Sequence, residues 1–294
     1  MDLSFMALLF NKLNMRNILL LVAIILNSFT AFGYNKKNHA LITERAIFLL
    51  NERCENFITA EEANLIIEGN VSEDRNLFKM LIRLWNQHFY NPLKPREFWL
   101  RDKSIDVRFE RIAKRWFDRP GSDKDFSSIG EIVHHIQDCT NPAHVVPVYH
   151  GGCLKDEFDE QDISAYLPRS IQIETNITYR EPYLSSILGQ PAIQTLESIR
   201  KPIDIKLENN GVISSRTIDW SYFWMDNPNG WFGEYGFLGN NYLYEKIPRG
   251  DTLYMIDKST YDDYSSKQIE LAVIQTANFI YFAKTQLQKT AIKK

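Results

Sequence analysis

Residues 134–160 read HHIQDCTNPAHVVPVYHGGCLKDEFDE, and most of the groups in the chain that could grip a metal lie within this stretch. His134 and Asp138 are four residues apart, so a helix stacks them one turn above the other on a single face. Six residues past Asp138 comes His144, just after Asn141-Pro142, a pair that ends a helix and turns the chain back toward the face it left. Asp156, Asp159 and Glu160 follow at spacings that align carboxylates along one side of a further helix. Imidazole and carboxylate together suit a borderline divalent ion such as Zn²⁺, and three protein ligands with an open position suit catalysis. An isolated His-x-x-x-Asp pair is ordinarily a surface hydrogen bond or a capped helix end. Followed by Pro-x-His and Asp-x-x-x-Glu, it is far more specific.

On either side of this stretch the apolar spacing is helical. Upstream, residues 41–50 fit an amphipathic helix with His39 at its beginning, and 60–68 read as a short helix ended by Gly69-Asn70. Ser72-Glu73-Asp74 then opens a stronger helix over 75–87, with Ser72 as cap and the two acids at its positive end. That capping role is a sufficient structural account of Glu73 and Asp74 taken alone. His88 closes this helix before Asn91-Pro92, where a dipole partner is the bland explanation. Helices are further expected over 103–117 and 127–135. Downstream, they are expected over 159–166, 185–199 and 264–287, the last with Ile269, Ala272, Val273, Ala277, Ile280 and Ala283 on a buried face. Between them, about 175–261 forms an insert rich in aromatics, Gly and Asn with little helical period. Its aromatics are read as packing inside a small β lobe in preference to lining a cleft or touching a membrane. The fold class is therefore mainly α, a compact multi-helix bundle with an aromatic-rich irregular or small β insert.

Composition bounds the rest. The chain has 294 residues, 44% hydrophobic and 24% charged, which suits one globular domain with a sizeable core. A net charge of -3 argues against a nucleic-acid binder working through a broad basic face. Lys12 and Arg16 precede the apolar run 18–26, and Ala31 and Gly33 occupy the small-residue places of a signal-peptidase site. Residues 1–33 are thus expected to be an export signal, with Met15 a possible alternative start and an uncleaved anchor the competing account. Tyr34 would become the new amino terminus, and 34–294 a single domain. Three cysteines, Cys54, Cys139 and Cys153, allow at most one disulfide, of undetermined pairing. Cys153 near His150 is a conceivable thiol nucleophile, but no third orienting group stands beside it.

Taken together these motifs resemble the zinc-dependent phospholipase C family of bacteria, whose superfamily also holds the fungal-type zinc single-strand nucleases. The match runs from Tyr34 to about Glu160; its pieces are individually weak, while their order and spacing are specific. The resemblance implies a secreted all-α hydrolase holding up to three Zn²⁺ ions. It implies Tyr34, through its amine and carbonyl, and His39 as ligands, with Asp74 and His88 in the neighbouring site. His134 and Asp138 match the His-x-x-x-Asp pair, Asp138 bridging two ions, and His144 matches the histidine of the third site. QHFYNP at 87–92 resembles the phospholipase branch.

The sequence departs from the family in two places. Tyr34 replaces a tryptophan, which preserves the backbone ligands, and the family's closing histidine and acid correspond here to Asp156 and Glu160, an aspartate in place of imidazole. Asp159, or His150 swinging in, are the alternatives for completing the third site. The implied reaction is hydrolysis of a glycerophospholipid to diacylglycerol and a phosphorylated head group by metal-activated water, with Asp74 as general base. The substrate partner would be a phospholipid or membrane surface; no protein partner is expected, and the chain reads as a monomer. Two alternatives remain: a zinc nuclease on the same scaffold, with nucleic acid as partner, and a catalytically degenerate binding protein that keeps metal for structure.

Overall fold

The computed structural model describes residues 35–75, 88–94, 105–119, 125–148, 150, 156–228, 232–239 and 244–292. The expected export signal, Tyr34, residues 76–87 of the helix expected over 75–87, Cys153 and Trp231 lie outside them. Cys54 and Cys139 are free thiols.

The first helix, α1 (Lys36–Arg53), opens on Asn35, whose side chain accepts a hydrogen bond from the Asn38 N–H at 3.0 Å, so His39 lies inside the helix. Its buried face, including Ile42, Ala46, Ile47 and Leu50, has the expected period. The start of α1 is fastened to a distant segment: Asn38 Nδ2 donates to the carbonyls of Asp159 at 3.1 Å and Gln161 at 2.9 Å.

The second helix, α2 (Ala60–Arg75), corrects the sequence reading, because it runs without a break through Gly69, Asn70 and Ser72. The glycine serves a helix crossing. A Cβ on Gly69 would lie 2.1 Å from the carbonyl oxygen of Ser127, and one on Gly130 would lie 2.1 Å from that of Ile66. Two bare backbones therefore touch where α2 meets α4 (Phe126–Asp138). Ser72 does not cap a new helix; its hydroxyl donates to the Gly69 carbonyl at 2.8 Å, three residues back.

Between these two in sequence, α3 (Ile105–Asp118) buries Phe109, Ile112, Ala113 and Trp116. Asp125 caps α4, and every residue of that helix from Ile132 to Asp138 is buried, which makes it the central rod of the bundle. The chain then turns at Asn141 into the short α5 (Pro142–Val145), as the Asn-Pro pair dictates. Further on, α6 (Glu157–Glu160) is followed by a 3₁₀ turn at Ile163–Tyr166, and a wide π-type turn, Leu184–Leu188, leads into α7 (Gly189–Ile199).

The insert is a small β lobe. Strands β1 (Pro202–Asn209), β2 (Val212–Asp219), β5 (Glu245–Arg249) and β6 (Thr252–Ile256) form an antiparallel sheet in the order β2-β1-β6-β5. The β1–β2 turn uses Asn210 and Gly211 at φ 50° and 79°, the mirror-image turn that matches strand twist. Pro248 is tolerated because β5 is an edge strand. A second ribbon pairs β3 (Trp224–Met225) with β4 (Glu234–Tyr235). Trp220, Phe223 and Trp224 are buried, as expected, whereas Phe237 is exposed. The Trp220 ring stacks on Tyr264 at 4.2 Å and locks the lobe to the long closing helix α8 (Lys258–Ile292). Among the described residues no helix is long and apolar enough to cross a membrane.

Candidate metal centre

Five helices and two loops deliver acids and imidazoles to one interior region. His39 comes from α1, Glu73 and Asp74 from the end of α2, and His134, His135 and Asp138 from α4. His144 comes from α5, Asp159 from α6, and His88 and His150 from irregular segments. All six histidines of the chain are buried, His88 being the most exposed at 7%. Among the described residues these side chains make four groups that could hold a metal ion: His39–His134–Asp138, Asp74–His88–His134 and Glu73–His88–His135, which share members, and the separate His144–His150–Asp159.

Asp138 is the hub of the first two. Its Oδ1 lies 3.4 Å from Nε2 of His39, while its Oδ2 lies 2.7 Å from Nδ1 of His88 and 3.4 Å from Nε2 of His134. Asp74 stands across from it, with Oδ1 3.8 Å from Nε2 of His134 and Oδ2 4.0 Å from Nε2 of His39. The i, i+4 pair of α4 therefore stands on one helix face, as read from the sequence, and the helix crossing at Gly69 and Gly130 brings Asp74 to it.

The outer faces of four imidazoles are held by acceptors. Nδ1 of His39 donates to Oε1 of Gln137 at 2.6 Å, and Nδ1 of His134 to Oδ1 of Asn70 at 3.1 Å. The two amides fix one another, since Asn70 Nδ2 donates to Gln137 Oε1 at 3.1 Å and to Thr43 Oγ1 at 2.7 Å. Nδ1 of His144 donates to the His88 carbonyl at 2.9 Å, and Nδ1 of His150 to the Val148 carbonyl at 2.6 Å. The Nε2 atoms of His39, His134 and His150 face carboxylates, and that of His144 faces Nε2 of His150. This is the arrangement in which an outer hydrogen bond sets the tautomer of a metal-ligating histidine.

Of the alternatives left open by the sequence, the structure brings His150 and Asp159 to His144. Nε2 of His150 lies 3.2 Å from Nε2 of His144 and 3.0 Å from Oδ2 of Asp159. Asp156 and Glu160, placed there by the four-residue spacing, are not part of this group. Asp156 is committed elsewhere: one oxygen caps α6 at the Phe158 N–H, 3.0 Å away, and the other accepts from Nε1 of Trp224 at 2.9 Å. Glu160 is exposed and lines a surface cleft with Gln161, Asp162 and Tyr166. Of the acids in and beside this single-turn helix, Asp159 is the one that reaches the histidines, and Asn141 Nδ2 also donates to it.

Charge fits a cation. Collecting Glu73, Asp74, Asp138 and Asp159 in a buried region is costly unless positive charge accompanies them. Burial alone would lower the pKa of His39, yet the hydrogen bond and charge of Asp138, with the charge of Asp74, raise it. Burial likewise works against a charged His150, but Asp159 and Asp156 raise it to about 9. Burial lifts Asp159 to about 7 against the opposing pull of His150. Cys139, next to Asp138, belongs to none of these groups, and burial and the Asp138 charge push its thiol well above its ordinary pKa.

Of the residues expected from the sequence, His39, Asp74, His88, His134, Asp138, His144 and Asp159 come together, Asp156 and Glu160 do not, and Tyr34 lies outside the described residues. Asn35, which follows Tyr34, has its N–H 3.4 Å from the Asp159 carbonyl, at the edge of the third group. Glu73 and His135 escaped the sequence reading. Their signal was the pairing of adjacent ligand types, Glu73-Asp74 on one helix and His134-His135 on the other. No family model, curated protein or solved structure matches the chain.

Proposed function

We propose that this protein is an exported zinc-dependent phosphodiesterase of phospholipase C type, hydrolysing glycerophospholipids to diacylglycerol and a phosphorylated head group. The observation that carries this reading is the bridging position of Asp138, with one carboxylate oxygen toward His39 and the other toward His88 and His134. The third group, His144–His150–Asp159, lies next to this hub, Nδ1 of His144 being 4.0 Å from Oδ2 of Asp138. Nitrogen and oxygen donors in this ratio suit Zn²⁺, and the amine that cleavage would free on Tyr34 would add another nitrogen donor.

Bound divalent ions would neutralise the phosphodiester, make water nucleophilic near neutral pH and stabilise the leaving oxygen. The protein's own part is positioning and proton transfer. Asp138 and the Nε2 atoms of His39 and His134 fix the cluster, and Asn70 and Gln137 keep those rings in one tautomer. Asp74, between His39 and His134, is placed to take the proton from the attacking water as general base. No side chain acts as a covalent nucleophile. Burial of these side chains lowers the local dielectric, which strengthens each of these interactions.

The test is to purify the protein beginning at Tyr34, count its zinc, and assay head-group release from mixed phospholipids beside digestion of single-stranded DNA. Head-group release abolished by His134→Ala and by chelation is the expected result. DNA cleavage alone would move the protein to the nuclease reading, and a zinc-loaded protein inert toward both substrates would leave a binding role.

A further inference from the structure

The pairs Glu73-Asp74 and His134-His135 sit on two helices whose backbones touch. Consecutive residues on a helix point about 100° apart. Each pair therefore splits, and Asp74 with His134 faces Asp138 and His39 while Glu73 with His135 forms a second set. His88 belongs to both. Its ring centroid is 4.7 Å from that of His134 and 4.9 Å from that of His135, edge-on to each, with interplanar angles of 78° and 80°. The ligand atoms of Glu73, His88 and His135 all lie within 4.8 Å of one another, and all three residues are buried. Behind His135 the ring of Phe109 stands edge-on at 5.7 Å and closes that side with an apolar wall. Asp138 remains in reach, its Oδ2 4.0 Å from Nδ1 of His135.

We propose that Glu73, His88 and His135 form an additional divalent-cation position, contiguous with the cluster assigned to catalysis and sharing His88 with it. Two imidazoles and a carboxylate are a sufficient donor set for Zn²⁺ or Co²⁺. A neutral imidazole has one lone pair, so His88 serves one ion at a time. An ion on Glu73 and His135 withdraws His88 from Asp74, His134 and Asp138, and the two positions compete for it. The additional ion consequently binds more weakly than those of the main cluster and fills only when metal is in excess. This inference rests on the cluster binding metal, as proposed above, and is independent of the substrate.

The experiment is equilibrium dialysis of the full protein against Zn²⁺ alone, with bound metal counted by mass spectrometry, repeated with Co²⁺ and read by its visible absorption. The wild type is expected to show its tight equivalents and then one weaker equivalent. Glu73→Gln and His135→Gln should each lose that weaker equivalent and retain the tight ones, with the retained ions reporting that both variants fold. The outcome that overturns the proposal is a wild type that saturates with its tight ions alone, or a weaker equivalent that persists in both variants. A wild type that binds no metal would overturn the metal-centre reading together with this one.

Discussion

Nε2 of His150 stands 3.2 Å from Nε2 of His144, and both rings are anchored through Nδ1 to backbone carbonyls, those of Val148 and His88. Two imidazoles so tethered can relax only about their anchors, and an ion between them and Asp159 would satisfy both. His150→Ala should therefore remove one bound ion, counted after dialysis. Glu160→Ala, at an exposed position, should leave the count unchanged. Loss of an ion in Glu160→Ala with none in His150→Ala would restore the four-residue pairing read from the sequence.

Asn70 holds His134 from behind and is itself held by Thr43 and Gln137. Asn70→Ala leaves every proposed ligand in place and should weaken metal binding by roughly 10- to 100-fold, the usual consequence of losing an outer partner. Competition with a chelator of known affinity measures this. An unchanged affinity would mean that the ring needs no such support.

The crossing of α2 and α4 is intolerant of side chains, with a Cβ on Gly69 meeting the Ser127 carbonyl oxygen at 2.1 Å. Gly69→Ala should cost about 1–3 kcal/mol through overpacking, seen in denaturant titration of the metal-free protein. Because the same crossing sets Asp74 against His134, the variant should also bind metal more weakly. Stability reduced without any effect on metal affinity would show that the crossing and the site are independent.

Trp224 is tied to Asp156 by its Nε1–H at 2.9 Å, deep between the β lobe and α6. Trp224→Phe leaves a buried carboxylate oxygen without this donor and should cost about 1–3 kcal/mol of stability. Asp156→Asn should likewise leave the number of bound ions unchanged. A missing ion in Asp156→Asn would return this residue to the ligand set.

Asp125 caps α4 through the Ser128 N–H at 2.6 Å. Burial pushes its carboxyl up, but hydrogen bonds from Ser128 and the Arg119 guanidinium 2.8 Å away hold the pKa below its ordinary value. A group depressed in the folded state adds stability that is complete above its unfolded pKa, about 4. That stability disappears as pH falls through the lower folded value. Asp125→Ala should accordingly cost about 1 kcal/mol at neutral pH and progressively less below pH of about 4. A penalty that does not change with acidity would assign the effect to packing.

Much of the bundle was legible in local chemistry. The apolar period of residues 264–287 gave the buried face of α8, and Asn141-Pro142 gave the turn that carries His144 inward. His-x-x-x-Asp gave the core of the centre because helical spacing alone aligns His134 with Asp138. Three matters were decided by tertiary structure. Gly69 reads locally as a helix stop, but the approach of α4 makes its missing side chain a contact surface, so α2 continues to Asp74. Asp156 and Glu160 have ligand spacing, but Trp224, distant in sequence, claims Asp156, and Glu160 lies at the surface. His150 and the Glu73–His135 pair gain meaning only from neighbours on other elements. The sequence determined which residue types could bind a metal and which of them share a helix face. Packing between segments determined which side chains converge, because ligand geometry spans residues that no local period connects.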